Sequence, residues 1–70
     1  MTQINPDYYN AHGVSVIDFI DAYGLNFNLG NVIKYIARAG HKNGEDRITA
    51  LYKAYYYLQH QIALDENNNL

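Results

Sequence analysis

Two cationic side chains one helical turn apart, Lys34 and Arg38, are candidates for binding an anion. Arg38 offers a planar fork of donors and Lys34 a point charge, so a phosphate group is a suitable partner. An amide and a phenol, Asn31 and Tyr35, fall on the same side at helical spacing. An ordinary solvated face is the competing interpretation, because Lys and Arg at this spacing are common on exposed helices.

The helix that positions these residues is predicted from Asn28, as its N-cap, to Ala39, with Gly40 in the left-handed position after its end. Its other side is apolar at positions i, i+3, i+4 and i+7: Leu29, Val32, Ile33 and Ile36. The pattern therefore predicts a buried apolar stripe and an exposed polar face.

A shorter helix is predicted before it, over about residues 15–23. Ser15 is its expected N-cap, with Asp18 in the capping-box place, and Gly24 follows its end. Asp18 and Asp21 share the polar side of this helix and could orient a metal ion or a base. Acidic residues on an exposed helix face are common, however, so both interpretations stay open.

The last helix is predicted over about residues 46–64. Apolar residues recur along it by three and four, the spacing of a coiled-coil seam: Ile48, Leu51, Tyr55, Leu58 and Ile62. Tyr52 and Tyr56 flank this seam, and Tyr57 is expected to point elsewhere. Because aromatic side chains lie on more than one side, we expect this helix to contact both its own domain and another subunit. Tyr52, Tyr55 and Tyr56 are the predicted subunit interface.

The predicted fold class is all-α, a single three-helix domain over residues 1–64. Residues 1–13 are expected to form an extended arm, because Pro6 disfavours a helical conformation at the preceding Asn5. Tyr8 and Tyr9 are the expected anchors of this arm, and possible stacking partners for a ligand. Residues 65–70 are predicted to be a disordered tail.

Composition limits the partners of this chain. Five cationic side chains against seven acidic ones are too few for stable nucleic-acid binding. There is no cysteine, and the three histidines lack ligand spacing, so no metal site is expected.

No apolar run is long enough for a membrane span and no signal peptide opens the chain, which favours a cytoplasmic location. Seventy residues provide a small core, so we expect a homo-oligomer.

Several familiar enzyme classes lack their motifs here. The sequence has no P-loop, no G-x-G-x-x-G after a strand and no zinc signature. No Ser-His-Asp or Cys-His arrangement follows from spacing. The residues alone therefore indicate a small helical protein with one basic, polar helix face.

Four groups of residues carry a resemblance to a known family. They are Pro6-Asp7-Tyr8-Tyr9, Gly13 with Val16-Ile17-Asp18, the segment G-N-x-x-K-Y-x-x-R-x-G at residues 30–40 with Lys42, and Lys53-Ala54 with Tyr57-Leu58. Over about residues 5–62 the chain resembles a small bacteriophage family called DUF3310 or SaV-like. It is also similar to the C-terminal part of the nucleotide kinase of T7-like phages, which phosphorylates deoxynucleoside monophosphates without a P-loop.

This resemblance implies a nucleotide-like ligand on the central helix. Lys34 and Arg38 would then hold phosphate, and Asn31 would contact a sugar or base edge. Tyr35, or a tyrosine of the arm, would stack on the base. Gly30 would let a phosphate or another backbone segment come close.

The family pattern has His, Glu and Asp at three positions where this chain has other residues: Tyr8, Ser15 and Ala50. Ligand binding survives such losses better than catalysis does. The expected function is therefore to bind a nucleotide-like or phosphorylated small molecule without turnover, and one use of such binding is to sequester a bacterial defence signal in the infected host. One alternative is a P-loop-less nucleotide kinase that uses ATP, with Asp18 holding Mg²⁺. Another is a module that binds a host protein through Tyr52 and Tyr56. No cofactor is expected outside the kinase alternative.

Overall fold

The computed structural model describes residues 13–68 and confirms an all-α fold over that range. Its three helices are α1 (Val16–Ala22), α2 (Phe27–Arg38) and α3 (Arg47–Asn68). The predicted arm, with Tyr8 and Tyr9, lies outside the described residues except at its last position. Among the helices of residues 13–68, none has both the length and the apolar character needed to cross a bilayer.

Side-chain caps set the start of α1 and α2. Ser15 caps α1 as predicted, since its Oγ accepts a 3.3 Å hydrogen bond from the backbone N–H of Asp18. For α2 the predicted cap, Asn28, is wrong. Asn26 Oδ1 accepts a 2.9 Å hydrogen bond from the backbone N–H of Leu29, so the helix begins two residues earlier than predicted.

The ends of α2 and α3 differ in how well the sequence predicted them. Gly40 follows α2 with a φ of +83°, which confirms its predicted left-handed conformation. By contrast, α3 continues to Asn68, so residues 65–68 are helical where the sequence predicted a disordered tail. A 2.8 Å hydrogen bond from Gln61 Nε2 to Asp65 Oδ1, one turn later, stabilises this last part of the helix.

Helices α2 and α3 pack side by side and run in opposite directions. At the start of α2, the side-chain amides of Asn26 and Asn28 donate to Oε1 of the buried Gln61, over 2.8 and 3.1 Å. Asn28 is therefore engaged with α3 rather than with its own helix. Because Gln61 also donates to Asp65, its amide has partners on both sides.

Aromatic rings join the two helices further along. The ring of Tyr57 lies 5.9 Å from the ring of Phe27, edge-on, and 5.9 Å from the ring of Tyr35, in a stacked arrangement. Tyr57 therefore points away from the predicted seam of α3, as expected, and it is part of the α2–α3 interface.

The apolar core of the described residues is small and consists of Val32, Ala39, Ala50 and Ala54. The predicted apolar stripe of α2 is wrong at one end, because Ile36 is 54% exposed and Arg38 only 7% exposed. Helix α3 packs against the side of α2 that carries Tyr35 and Arg38, where an ion pair and stacked rings replace aliphatic contacts.

The side of α3 that faces α2 is also not the predicted seam. It consists of residues spaced by four and three: Ala50, Ala54, Tyr57 and Gln61. Two alanines at this position allow the helices to approach closely. The predicted seam, which begins at Ile48 and ends at Ile62, lies on the outside of α3 and is largely exposed.

Candidate functional site

An open cleft of about 310 Å³ lies where α1 meets α2. It is lined by residues from α1, from the turn after it and from the first turns of α2: Ile20, Leu25, Asn26, Phe27, Gly30, Asn31 and Lys34. Three of the five predicted ligand-binding residues, Gly30, Asn31 and Lys34, are therefore brought together. The volume is at the lower end of the range for small-molecule sites, about 300–1,000 Å³.

Gly30 lets α1 approach α2 at the base of the cleft. A Cβ atom at this position would lie 3.3 Å from Cγ2 of Ile20, closer than an ordinary carbon–carbon contact. Gly30 is thus a point of close approach, but the group that lies against it is the Ile20 side chain and not the predicted phosphate or backbone.

Three side chains give the cleft its binding chemistry. Phe27 is 74% exposed and presents a ring on which a planar group can stack. The Nδ2 of Asn31 donates to the carbonyl of Phe27 over 2.9 Å, and its Oδ1 makes no hydrogen bond within the described residues. Lys34 forms no ion pair within residues 13–68. The cleft therefore combines a stacking surface, an acceptor and a cation.

Arg38 lies away from this cleft, at the other end of α2. Its Nε donates to Oε1 of Glu45 over 3.1 Å and its Nη2 to Oε2 over 3.0 Å. Lys53 Nζ contacts the same Oε2 at 2.7 Å. Both side chains of the Arg38–Glu45 pair are nearly buried. The fork that would bind a phosphate is used to hold the loop between α2 and α3, and phosphate binding by Arg38 stays a prediction.

Tyr35 belongs to the same network and not to the cleft. The Arg38 guanidinium lies 4.3 Å from the centroid of its ring, and the Lys34 and Lys53 ammonium groups lie 5.2 and 5.6 Å away. The ring of Tyr57 stacks on it. Because cations and a second ring surround Tyr35, its contacts stabilise the α2–α3 interface.

The charge of Glu45 predicts a loss of stability in acid. Hydrogen bonds from Lys53 and Arg38 lower the pKa of Glu45 from 4.5 to about 2. The folded-state pKa lies below the unfolded one, so this stabilisation is present above about pH 4.5 and is lost as the pH falls towards 2. We expect urea unfolding midpoints to fall across this window, and to fall less steeply in Glu45→Gln, where the titrating group is absent. Equal slopes in the two proteins would contradict the assignment.

The other predicted residues are spread over the fold. Asp18 is exposed on α1, and Tyr52, Tyr55 and Tyr56 are exposed on α3. Within residues 13–68 no group of three or more His, Cys, Asp or Glu side chains is arranged to hold a metal ion. Ser15 and Ala50, two of the positions at which the resemblance implied acidic residues, are a helix cap and a fully buried contact in this structure.

Sequence reasoning missed Phe27 in the cleft and Glu45 in the network around Arg38. Phe27 precedes the predicted start of the central helix, although an aromatic residue directly after an Asn cap is compatible with the first turn of a helix. Glu45 lies seven positions after Arg38, across a turn with two glycines, and no helical or strand period links them. Only the pairing of a buried arginine with a nearby carboxylate would have indicated Glu45.

The fold and the cleft define a small three-helix protein with a candidate small-molecule site between its first two helices. Comparison with family models identifies it further. The chain belongs to the family DUF3310, described as a protein of unknown function, whose model matches residues 4–59. No curated protein and no solved structure gave a match.

Proposed function

We propose that the α1–α2 cleft binds a nucleotide-like or phosphorylated small molecule without turning it over. The observation that carries this proposal is the convergence of Phe27, Asn31 and Lys34 in one cleft. A planar base can stack on the Phe27 ring, and base or sugar donors can reach the Asn31 oxygen. The Lys34 ammonium attracts the phosphate. The base, the sugar or base donors, and the phosphate of a nucleotide thus each have a matching group in the cleft.

The structure changes how the predicted residues share this task. Lys34 is the proposed phosphate partner, and Arg38 acts by holding α2 and the following loop in place. Phe27 is the proposed stacking partner, in place of Tyr35 or a tyrosine of the arm, to which the resemblance gave this role. Inside an infected bacterial cell, such a protein could remove a nucleotide signal from solution, since sequestration requires tight binding and no chemistry.

Binding is expected to depend on Lys34 and not on cations elsewhere. The probes are nucleoside monophosphates, ADP-ribose and cyclic dinucleotides, mixed with excess protein in EDTA, filtered, and recovered by denaturing the protein. We expect one probe to be retained and released intact, and Lys34→Ala and Phe27→Ala each to weaken its binding at least about tenfold, or 1.4 kcal/mol.

The matched control is Lys42→Ala, which removes an exposed cation that does not line the cleft. It should bind the retained probe as the wild type does. Equal weakening by Lys42→Ala and Lys34→Ala would indicate a diffuse charge effect. Retention of no probe, with the protein shown to be folded, would overturn the proposed ligand class.

One alternative function is a nucleotide kinase, and what favours it is that the motif at residues 30–40 resembles the C-terminal part of the kinase of T7-like phages. In that case Asp18 would hold Mg²⁺ near the phosphates. Asp18 is two positions from Ile20, so on a helix the two residues point to nearly opposite sides, and Ile20 is the one that lines the cleft. Diphosphates formed from monophosphates with ATP and Mg²⁺, and not in EDTA, would establish this alternative.

A host-protein interaction module is the other alternative, and the exposure of Tyr52 and Tyr56 favours it. It predicts that alanine at these two positions abolishes a complex with a host protein. It also predicts that no probe binds the cleft, which separates it from the proposed function.

A further inference from the structure

The outer side of α3 presents a row of exposed apolar side chains that no part of residues 13–68 covers. Five residues spaced by three, four, three and four form this outer seam: Ile48, Leu51, Tyr55, Leu58 and Ile62. All except Leu51 are at least 40% exposed, and Tyr52 and Tyr56 beside them are more than 60% exposed. A shallow cavity of about 350 Å³ opens at its N-terminal half. The inner side of α3 is already packed on α2.

We propose that the outer seam binds a second copy of this chain, with the two α3 helices antiparallel. A regular alternation of three and four is the spacing that packs helix against helix along a left-handed seam. Because a two-fold axis places the same surface on both subunits, a seam of this kind is complementary to itself. With 22 residues, α3 is about 33 Å long, enough for several successive layers.

The exposed area agrees with the size of a dimer interface. Taking about 200 Å² for a fully exposed large side chain, the exposed parts of the seam and of its two flanking tyrosines amount to roughly 650 Å² per copy. A standard interface buries about 800 Å² per partner. Burying this surface would add to a small core, because within residues 13–68 no large side chain is fully buried. Association adds the apolar burial that such a small core lacks.

The charges on α3 select the antiparallel orientation. Between residues 48 and 64 the helix has a single charged side chain, Lys53, and that residue is paired with Glu45 on the inner side. Arg47 lies at the N-terminal end, and Asp65 and Glu66 lie at the C-terminal end. Parallel helices would place the acidic ends together, whereas antiparallel helices place Arg47 of one copy beside the acidic end of the other.

The spacing also fixes the register of the antiparallel pair. When Leu51 faces Ile62 of the second copy, Tyr55 faces Leu58, and the two-fold axis passes between positions 56 and 57. In this register Ile48 and Arg47 reach the level of Asp65 and Glu66. One alignment therefore places apolar residues opposite apolar residues in the middle of the seam and brings the opposite charges at its ends together.

Sedimentation equilibrium of the full chain tests the association. We expect a mass about twice the 8.0 kDa of the monomer at micromolar concentration. Leu58→Glu, in the middle of the seam, is expected to give a monomer with unchanged helical circular dichroism. Ile36→Glu is the matched control, because it makes the same change at an exposed aliphatic residue of α2, and it should remain dimeric.

Charge reversal tests the orientation. Arg47→Glu alone and the double variant Asp65→Lys, Glu66→Lys alone should each dimerise at least tenfold more weakly, because like charges then meet at both ends. Mixed together, the two variants should form a heterodimer at about wild-type strength. A heterodimer no stronger than either variant alone would overturn the antiparallel arrangement. A wild-type protein that stays monomeric would overturn the proposal. This holds whether the outer seam is then free, covered by the same chain or bound only by another protein.

Discussion

Arg38→Ala is expected to destabilise the fold by about 3 kcal/mol, the lower part of the range for removing one partner of a buried ion pair. Arg38 is 7% exposed and donates two hydrogen bonds to Glu45, so its loss leaves a nearly buried carboxylate with Lys53 as its remaining cation. The ring of Tyr35 also loses the cation 4.3 Å from its centroid. For a domain of this size, such a loss is a large fraction of the total stability.

Chemical unfolding followed by circular dichroism measures this loss of stability. Two further variants separate the contribution of the charge from that of the hydrogen bonds and provide a control. Arg38→Lys keeps the charge but not the planar fork, so it should lose an intermediate amount of stability. Lys34→Ala removes a cation one turn earlier on α2 that has no ion pair within residues 13–68, and its stability should stay within about 0.5 kcal/mol of the wild type. If Arg38→Ala were as stable as Lys34→Ala, the Arg38–Glu45 pair would not hold the loop.

This contrast matters for testing the proposed binding site. Arg38 and Lys34 look equivalent in the sequence, and a double alanine variant would be the natural first experiment. In the structure, that double variant would lose ligand binding through unfolding whether or not either cation contacts phosphate. The single variant Lys34→Ala, paired with Lys42→Ala, separates binding from stability.

Local signals in the sequence predicted the helices well. Ser15 as a cap and Gly40 with positive φ were correct, because each depends on a few neighbouring residues. The N-cap of α2 was assigned to the wrong asparagine, since Asn26 and Asn28 are both suitable residues. Only the position of Gln61, thirty-three residues after Asn28, shows which asparagine is engaged with α3.

Which side of each helix faces the core could not be predicted in the same way. On α3 the aliphatic residues suggested the packed side, but Ala50 and Ala54 lie against α2 instead. Two apolar seams exist on this helix, and the sequence does not say which one the same chain uses. On α2 the predicted polar face was divided between two neighbours. Its first half lies at the α1–α2 cleft and its last turn, with Arg38, lies against the loop before α3.

Placing an acidic residue at position 50, as the resemblance implied, is the second change with a large expected effect. Ala50 is 0% exposed and lies between α2 and α3. A carboxylate placed there loses its hydration, and the cost of an unpaired buried charge is on the order of 3 kcal/mol or more. Ala50→Asp is therefore expected to be strongly destabilised at neutral pH.

The pH dependence of Ala50→Asp distinguishes a buried charge from a simple steric effect. Burial raises the pKa of the introduced carboxyl above its unfolded value of about 3.9. The folded-state pKa then exceeds the unfolded one, so the stability difference from wild type is smallest below about pH 3.9 and grows as the pH rises. Ala50→Asn is the matched control, because it adds a group of similar size without a charge, and its stability difference should not change with pH.

A stable Ala50→Asp at pH 7 would mean that a cation such as Arg38 reaches this position, and that a carboxylate at position 50 fits this fold. Even then the carboxylate would lie between α2 and α3, whereas the proposed ligand lies between α1 and α2. We therefore expect Ala50→Asp, where it folds, to gain no Mg²⁺-dependent phosphoryl transfer in the assay with ATP and nucleoside monophosphates.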